Sequence, residues 1–166
     1  MSERDAPTDP SPAPDRGGPE RWPHLAGRLD GRTHLLPIRV YYEDTDFSGV
    51  VYHAGYLRFM ERGRTDFLRA AGIDQSTLHA EGAGLIFAVR KMIIDFHRPA
   101  RMDDILTVET RTADVRGASI VMAQRILRGD ELIVSAEVRV AALSGGRPAR
   151  IPDELRIVFS GEIPSA

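Results

Sequence analysis

One stretch of this chain, residues 55 to 71, has helical periodicity, and most of what can fold around it has the period of a strand. Tyr56, Met60, Gly63, Phe67 and Ala71 recur at spacings of three and four, and Leu57, Phe59 and Leu68 widen that face. An apolar surface broader than one stripe has to be covered from more than one direction. Upstream, Leu36, Ile38, Val40 and Tyr42 alternate with Pro37, Arg39 and Tyr41, the pattern of a strand. Gly72 is placed to end the helix, and Asp74 to cap a short helix reaching Ala80.

After Gly82 and Gly84 the chain turns to strands and stays with them. Leu85 to Phe96, Ile105 to Arg111 and Ala118 to Leu127 are β-rich, with a turn expected at Asp114-Val115-Arg116-Gly117. Gly129-Asp130 marks a tight hairpin, and Leu132, Val134, Ala136, Val138, Val140 and Ala142 alternate beyond it. Gly145-Gly146-Arg147-Pro148 closes that strand, and Ile151 to Phe159 forms a short final element. A single long helix against a meandering antiparallel sheet is an α+β arrangement. One sheet covers only part of such a helix, so the sheet must curl around it or a second subunit must complete the core. A homodimer or homotetramer is the expectation.

Residues 1 to 34 hold six of the eleven prolines, mixed with Ser, Asp, Arg and Gly, and sizeable apolar groups such as Trp22 and Leu25 are few. Such a segment buries too little apolar surface to offset its ordering entropy, so it reads as a disordered tail ahead of one domain spanning 35 to 163. The chain has no cysteine, which removes disulfides, thiolate metal sites and cysteine nucleophiles from consideration. A net charge of -2 gives no reason to expect nucleic acid or an anionic membrane surface as a partner. There is no signal-peptide core and no run long enough for an integral membrane segment, so a cytoplasmic location is expected.

Chemistry concentrates in Tyr41-Tyr42-Glu43-Asp44-Thr45-Asp46-Phe47-Ser48-Gly49-Val50-Val51-Tyr52-His53, just ahead of the helix. Taken alone, Asp46 reads as a turn residue, because Asp-x-x-Gly is common in turns, and His53 as a packed or capping side chain. The longer context changes that reading. Tyr42-Glu43-Asp44-Thr45-Asp46, Gly49-Val50-Val51-Tyr52-His53, Tyr56-Leu57 and Glu61-Arg62-Gly63-Arg64 resemble the hotdog-fold acyl-CoA thioesterases. The similarity is to the Tol–Pal-associated branch, related to the 4-hydroxybenzoyl-CoA thioesterases. Phe96-His97-Arg98-Pro99-Ala100, Asp103-Asp104 and Leu106 fit as well, and the resemblance covers roughly residues 36 to 160.

The resemblance implies a long helix wrapped by a curved antiparallel sheet, with acyl-CoA as substrate and no cofactor or metal. It makes Asp46 the catalytic carboxylate and His53 a functional histidine, and it assigns carbonyl polarisation to backbone N–H groups around Tyr52, His53 and Ala54. Gly49, Val51, Tyr52, Ala54 and Glu61 are the candidate substrate-binding positions. A carboxylate there can act as general base on water or attack directly to form a mixed anhydride. Asp44 reads as structural, Glu61 as a partner for Arg64 or Arg98, and Arg90, Lys91, Arg98 and Arg101 as solvated charges that can hold coenzyme A phosphates. Short-chain or aromatic acyl groups are the expected substrates. The competing readings are a non-catalytic acyl-CoA or acyl-carrier-protein binding module, a 3-hydroxyacyl thioester dehydratase, and a metal hydrolase using Asp44, Asp46, His53 and Glu61.

Overall fold

A computed structural model describes residues 24–73 and 84–161. Among the described residues seven strands form one antiparallel sheet: β1 (Arg28–Asp30), β2 (Thr33–Arg39), β3 (Ile86–Phe96), β4 (Ile105–Arg116), β5 (Ser119–Arg128), β6 (Glu131–Ser144) and β7 (Arg147–Pro148). Their order is β1-β2-β4-β5-β6-β3, with β7 paired to β6. The long helix α1 (His53–Ala70) follows β2, and a short helix α2 (Asp153–Ser160) closes the described chain. This is the hotdog arrangement: after α1 the chain returns to the sheet at its far edge, as β3.

The two apolar periodicities meet along α1. Tyr56, Phe59 and Met60 pack with Leu36 and Ile38 of β2, with Val40 just beyond it, with Leu106 and Val108 of β4, and with Ile126 and Val134. Further along the helix, Phe67 and Leu68 join Ile120, Met122, Val138, Val140 and the α2 residues Leu155 and Phe159. Phe59 and Met60 are wholly buried, which is worth about 2–3 kcal/mol for each side chain.

Between these two clusters lies a buried polar belt. Gln124 Nε2 donates to the Met60 carbonyl at 2.9 Å and to Thr110 Oγ1 at 2.8 Å, and Arg64 Nη1 donates to Gln124 Oε1 at 2.8 Å. Gly63 is what lets the helix sit this close, since a Cβ there would stand 2.8 Å from Val108 Cγ1 and 2.9 Å from Thr110 Oγ1. Burial drives the Arg64 guanidinium pKa below its ordinary value, with the nearby Glu61 charge acting in the opposite sense.

α1 ends as its sequence indicates. Gly72 takes φ +78, its N–H donates to the Arg69 carbonyl, and the Ile73 N–H reaches back to Leu68 at 2.8 Å. Ile73 and Leu68 belong to the same apolar cluster, completing the Schellman pattern.

Three expectations require correction. The sheet begins at Arg28, ahead of the boundary placed at residue 35: Arg28–Asp30 pairs with Leu35–Thr33, and His34 is fully buried. Pairing to β2 and the packing of Leu29 hold this hairpin, and neither is readable in a Pro-rich composition. Second, the chain does not stay with strands to its end, because Asp153–Ser160 is helical, with Asp153 and Glu154 in the first turn where the helix dipole favours them. Third, Asp114, Val115 and Arg116 continue β4, and the reversal falls at Gly117-Ala118. The segment read as a short helix from Asp74 to Ala80, and Trp22, lie outside the described residues.

Candidate functional site

The loop joining β2 to α1 is tied from inside. Asp44 is 4% exposed; its Oδ2 accepts the Tyr41 N–H at 2.9 Å, and its carbonyl accepts the Tyr52 N–H at 2.9 Å. Arg58, one turn into α1, lies 3.7 Å from the other Asp44 oxygen. Asp44 is thus a brace, as the sequence suggests, and it fixes the end of α1 against the loop.

From this brace the chain makes a tight reversal. The Asp46 N–H donates to the Val50 carbonyl and the Gly49 N–H to the Asp46 carbonyl, both at 3.0 Å. Gly49 has φ +76, a left-handed conformation that a side chain would strain, although a Cβ there would touch nothing within 4 Å. Its role is therefore the turn itself. The Val51 N–H then donates to the Ala100 carbonyl at 2.8 Å, and Val50 bridges to Arg101. This couples the reversal to the second stretch that carried the resemblance, residues 96 to 100.

The turn leaves the Asp46 side chain in the open. Its Oδ1 accepts the Ser48 amide at 2.8 Å and the Ser48 hydroxyl at 2.5 Å. The Ser48 hydroxyl is the largest influence on its pKa, and although desolvation, the next largest, opposes it, the carboxyl lies below its usual value. Asp46 is accordingly an anion throughout the neutral range.

Directly after the turn comes the start of α1. Tyr52 occupies the N-cap with no side-chain cap, and the Gly55 N–H turns back to the Tyr52 carbonyl at 2.7 Å. The amides of His53 and Ala54 have no acceptor among the described residues. Two free N–H groups at the positive end of an 18-residue helix suit an oxygen that gains negative charge. The His53 ring is exposed and lies 4.3 Å, centroid to centroid, from that of Tyr52.

A cleft of about 420 Å³ gathers these groups. Asp46, Val51, Tyr52, His53 and Tyr56 line one side, and Phe96, His97, Arg98 and Pro99 the other. Of the candidate positions, Asp46, His53, Val51 and Tyr52 meet here, whereas Gly49 shapes the turn and Ala54 stands beside the lining residues at the start of α1. Glu61 is absent from this lining: it lies two turns along α1, where it accepts the Thr65 hydroxyl at 2.8 Å and edges a separate hollow with Arg64 and Leu68. Its expected pairing is also replaced, since Arg64 binds Gln124 and Arg98 binds Glu131 at 3.1 Å. Among the described residues, no three His, Asp or Glu side chains converge to hold a metal ion.

Sequence reasoning passed over Tyr56 and His97 as site residues. Tyr56 accepts the Ala100 N–H on its hydroxyl at 2.9 Å, and its ring packs 5.9 Å from that of Phe96. The helical spacing that marked it as core does not show that it also reaches the cleft. His97 is held to Ser135 Oγ at 2.8 Å, a pairing across strands that no local motif announces.

A family model described as "Thioesterase-like superfamily" matches residues 40–159, a span that includes the loop, α1 and the strands of the cleft. The chain is 45% identical to the acyl-CoA thioesterase YbgC of Haemophilus influenzae over 126 residues, covering 75% of this chain and 92% of that protein. It is 46% identical over 108 residues to the acyl-CoA thioester hydrolase YbgC of Escherichia coli, covering 64% of this chain and 79% of that one. A probable thioesterase from Bartonella henselae of known structure is 48% identical, with a TM-score of 0.70 over 72% of this chain and 99% of its own. On the match to that family model and to relatives at this identity, the chain belongs to the thioesterase-like superfamily, in the group of the YbgC acyl-CoA thioesterases.

Proposed function

We propose that this protein hydrolyses acyl-CoA thioesters to the free acid and coenzyme A, with Asp46 as its reacting carboxylate. The observation that carries the reading is an exposed, ionised Asp46 in one cleft with His53, where the amides of His53 and its neighbour Ala54 are unused at the start of α1. The carbonyl oxygen is received by the His53 and Ala54 amides, which stabilise the charge that develops on it. Asp46 faces the carbonyl carbon. Held below its usual pKa, the carboxylate is ionised at neutral pH and available for direct attack on the carbonyl carbon. In that route the Asp46 oxygen bonds to the acyl carbon, the C–S bond breaks, and the thiolate leaves. Water then cleaves the mixed anhydride and restores Asp46. His53, at the mouth of the cleft, orients the thioester and serves the departing sulfur.

The substrates this reading favours carry short-chain or aromatic acyl groups, since the cleft wall is built of Val51, Tyr52, Tyr56 and Phe96. The working unit in this proposal is at least a homodimer. β3 is an edge strand of eleven residues, with Ile86, Val89, Ile93 and Phe96 each more than two-fifths exposed. A long apolar edge of this kind offers a ready template for pairing with a second chain. A thiol-release assay across short, medium, long and aromatic acyl-CoAs tests activity and substrate class together. The proposal expects turnover confined to the short or aromatic members, and thiol release from none of them would end it.

A further inference from the structure

The Tyr56 hydroxyl is positioned by one hydrogen bond and leaves another unmade. Tyr56 is 3% exposed, and its oxygen accepts the Ala100 N–H at 2.9 Å. A phenol carries one donor hydrogen as well, and among the described residues this one has no acceptor. A buried donor without a partner is costly, and in a native structure it calls for an explanation. The ring is fixed on three counts: Phe59 meets it edge-on at 6.1 Å, Phe96 flanks it at 5.9 Å, and the Ala100 amide holds its tip. An O–H group that already accepts a hydrogen bond is polarised into a better donor. Burial also raises the pKa of this phenol, so it keeps its proton throughout the neutral range.

Tyr56 borders the same cleft as Asp46 and His53, one helical turn beyond the free amides. Those amides are committed to the thioester oxygen in the reading above, on which this inference rests. The acceptor for Tyr56 must then be a different atom of the bound acyl group. We infer that Tyr56 is a specificity-determining residue, donating a hydrogen bond to an oxygen that the acyl chain carries beyond its thioester carbonyl. The substrates it singles out are acyl-CoAs with a hydroxyl, oxo or carboxylate oxygen near the thioester.

The test compares matched pairs: butyryl-CoA against 3-hydroxybutyryl-CoA and 3-oxobutyryl-CoA, each with wild type and with Tyr56→Phe, by thiol release. Loss of the Ala100 anchor lowers turnover of every substrate alike, so it cancels in the ratio of kcat/KM within a pair. The expected result is a wild-type preference for an oxygenated member that falls about tenfold in Tyr56→Phe. An unchanged ratio, or a wild type that prefers butyryl-CoA over both partners, would overturn the inference. Neither outcome disturbs the thioesterase reading, which stands or falls on whether any thiol is released at all. Should Tyr56→Phe fold poorly, 3,5-difluorotyrosine at position 56 keeps the acceptor and strengthens the donor. The preference should then rise, and a preference that does not move would equally overturn the inference.

Discussion

Gly63→Ala adds a single methyl group, and the structure decides whether that helps or harms. In an exposed helix interior, alanine is about 1 kcal/mol better than glycine. At position 63 the new Cβ would lie 2.8 Å from Val108 Cγ1, 2.9 Å from Thr110 Oγ1 and 3.3 Å from Gln124 Nε2. Overpacking of this kind costs about 1–3 kcal/mol. Movement of α1 away from β4 and β5 would also stretch the bonds from Gln124 to Met60 and Thr110, leaving buried polar groups short of partners at a further 1–3 kcal/mol or so. After the propensity gain is subtracted, the net is a destabilisation of about 1–5 kcal/mol, centred near 3. For a domain of this size the central value corresponds to a fall in Tm of roughly 8–12 °C. Thermal unfolding by circular dichroism or calorimetry measures it. The steric origin is tested by adding Val108→Ala, which removes the nearest methyl, so the double variant should be more stable than the sum of the singles implies. A Gly63→Ala protein with a Tm equal to or above wild type would refute the argument that this glycine is a contact point between helix and sheet.

Ser48→Ala removes the hydroxyl that does most to hold the Asp46 pKa down, so that pKa rises. Because the ionised form is the active one in the proposed mechanism, the acidic limb of kcat/KM should move to higher pH, with little change at pH 7 and above. A limb that stays in place would detach Asp46 from the observed ionisation. Val89→Lys puts a charge on the exposed face of the β3 edge, and the solution mass by light scattering should fall toward that of one chain. An unchanged mass would move the subunit contact elsewhere.

The sequence carried the architecture where local pattern and burial coincide. The α1 stripe of Tyr56, Met60, Gly63 and Phe67 is wholly buried or nearly so, and β2 and much of β6 alternate as their residues promised. Gly63 was visible only as a member of that stripe. Its function as a seat for Val108 and Thr110 depends on strands more than forty residues away in sequence, which no window along the chain can show. The hairpin at Arg28 was hidden for a related reason, because its stability comes from pairing with β2 rather than from its own apolar content. In the candidate site, the turn at Asp46 and Gly49 and the helix start at His53 were legible because both are local geometry. Glu61, which the resemblance placed among the substrate-binding positions, lines a separate hollow, because a motif fixes position along α1 but not which side of the helix faces the cleft. Tyr56 was the converse case, read as core and found to be both core and wall.

Asp46→Asn is the most direct test of the central claim, because it removes the charge and the nucleophilic oxygen while keeping the shape and the Ser48 contacts. Thiol release from the best acyl-CoA in the panel should fall about 10²- to 10⁴-fold, while affinity for the same acyl-CoA, measured by calorimetry under conditions of negligible turnover, stays close to wild type. Near-wild-type turnover in Asp46→Asn would contradict the account and return Asp46 to the status of a turn residue.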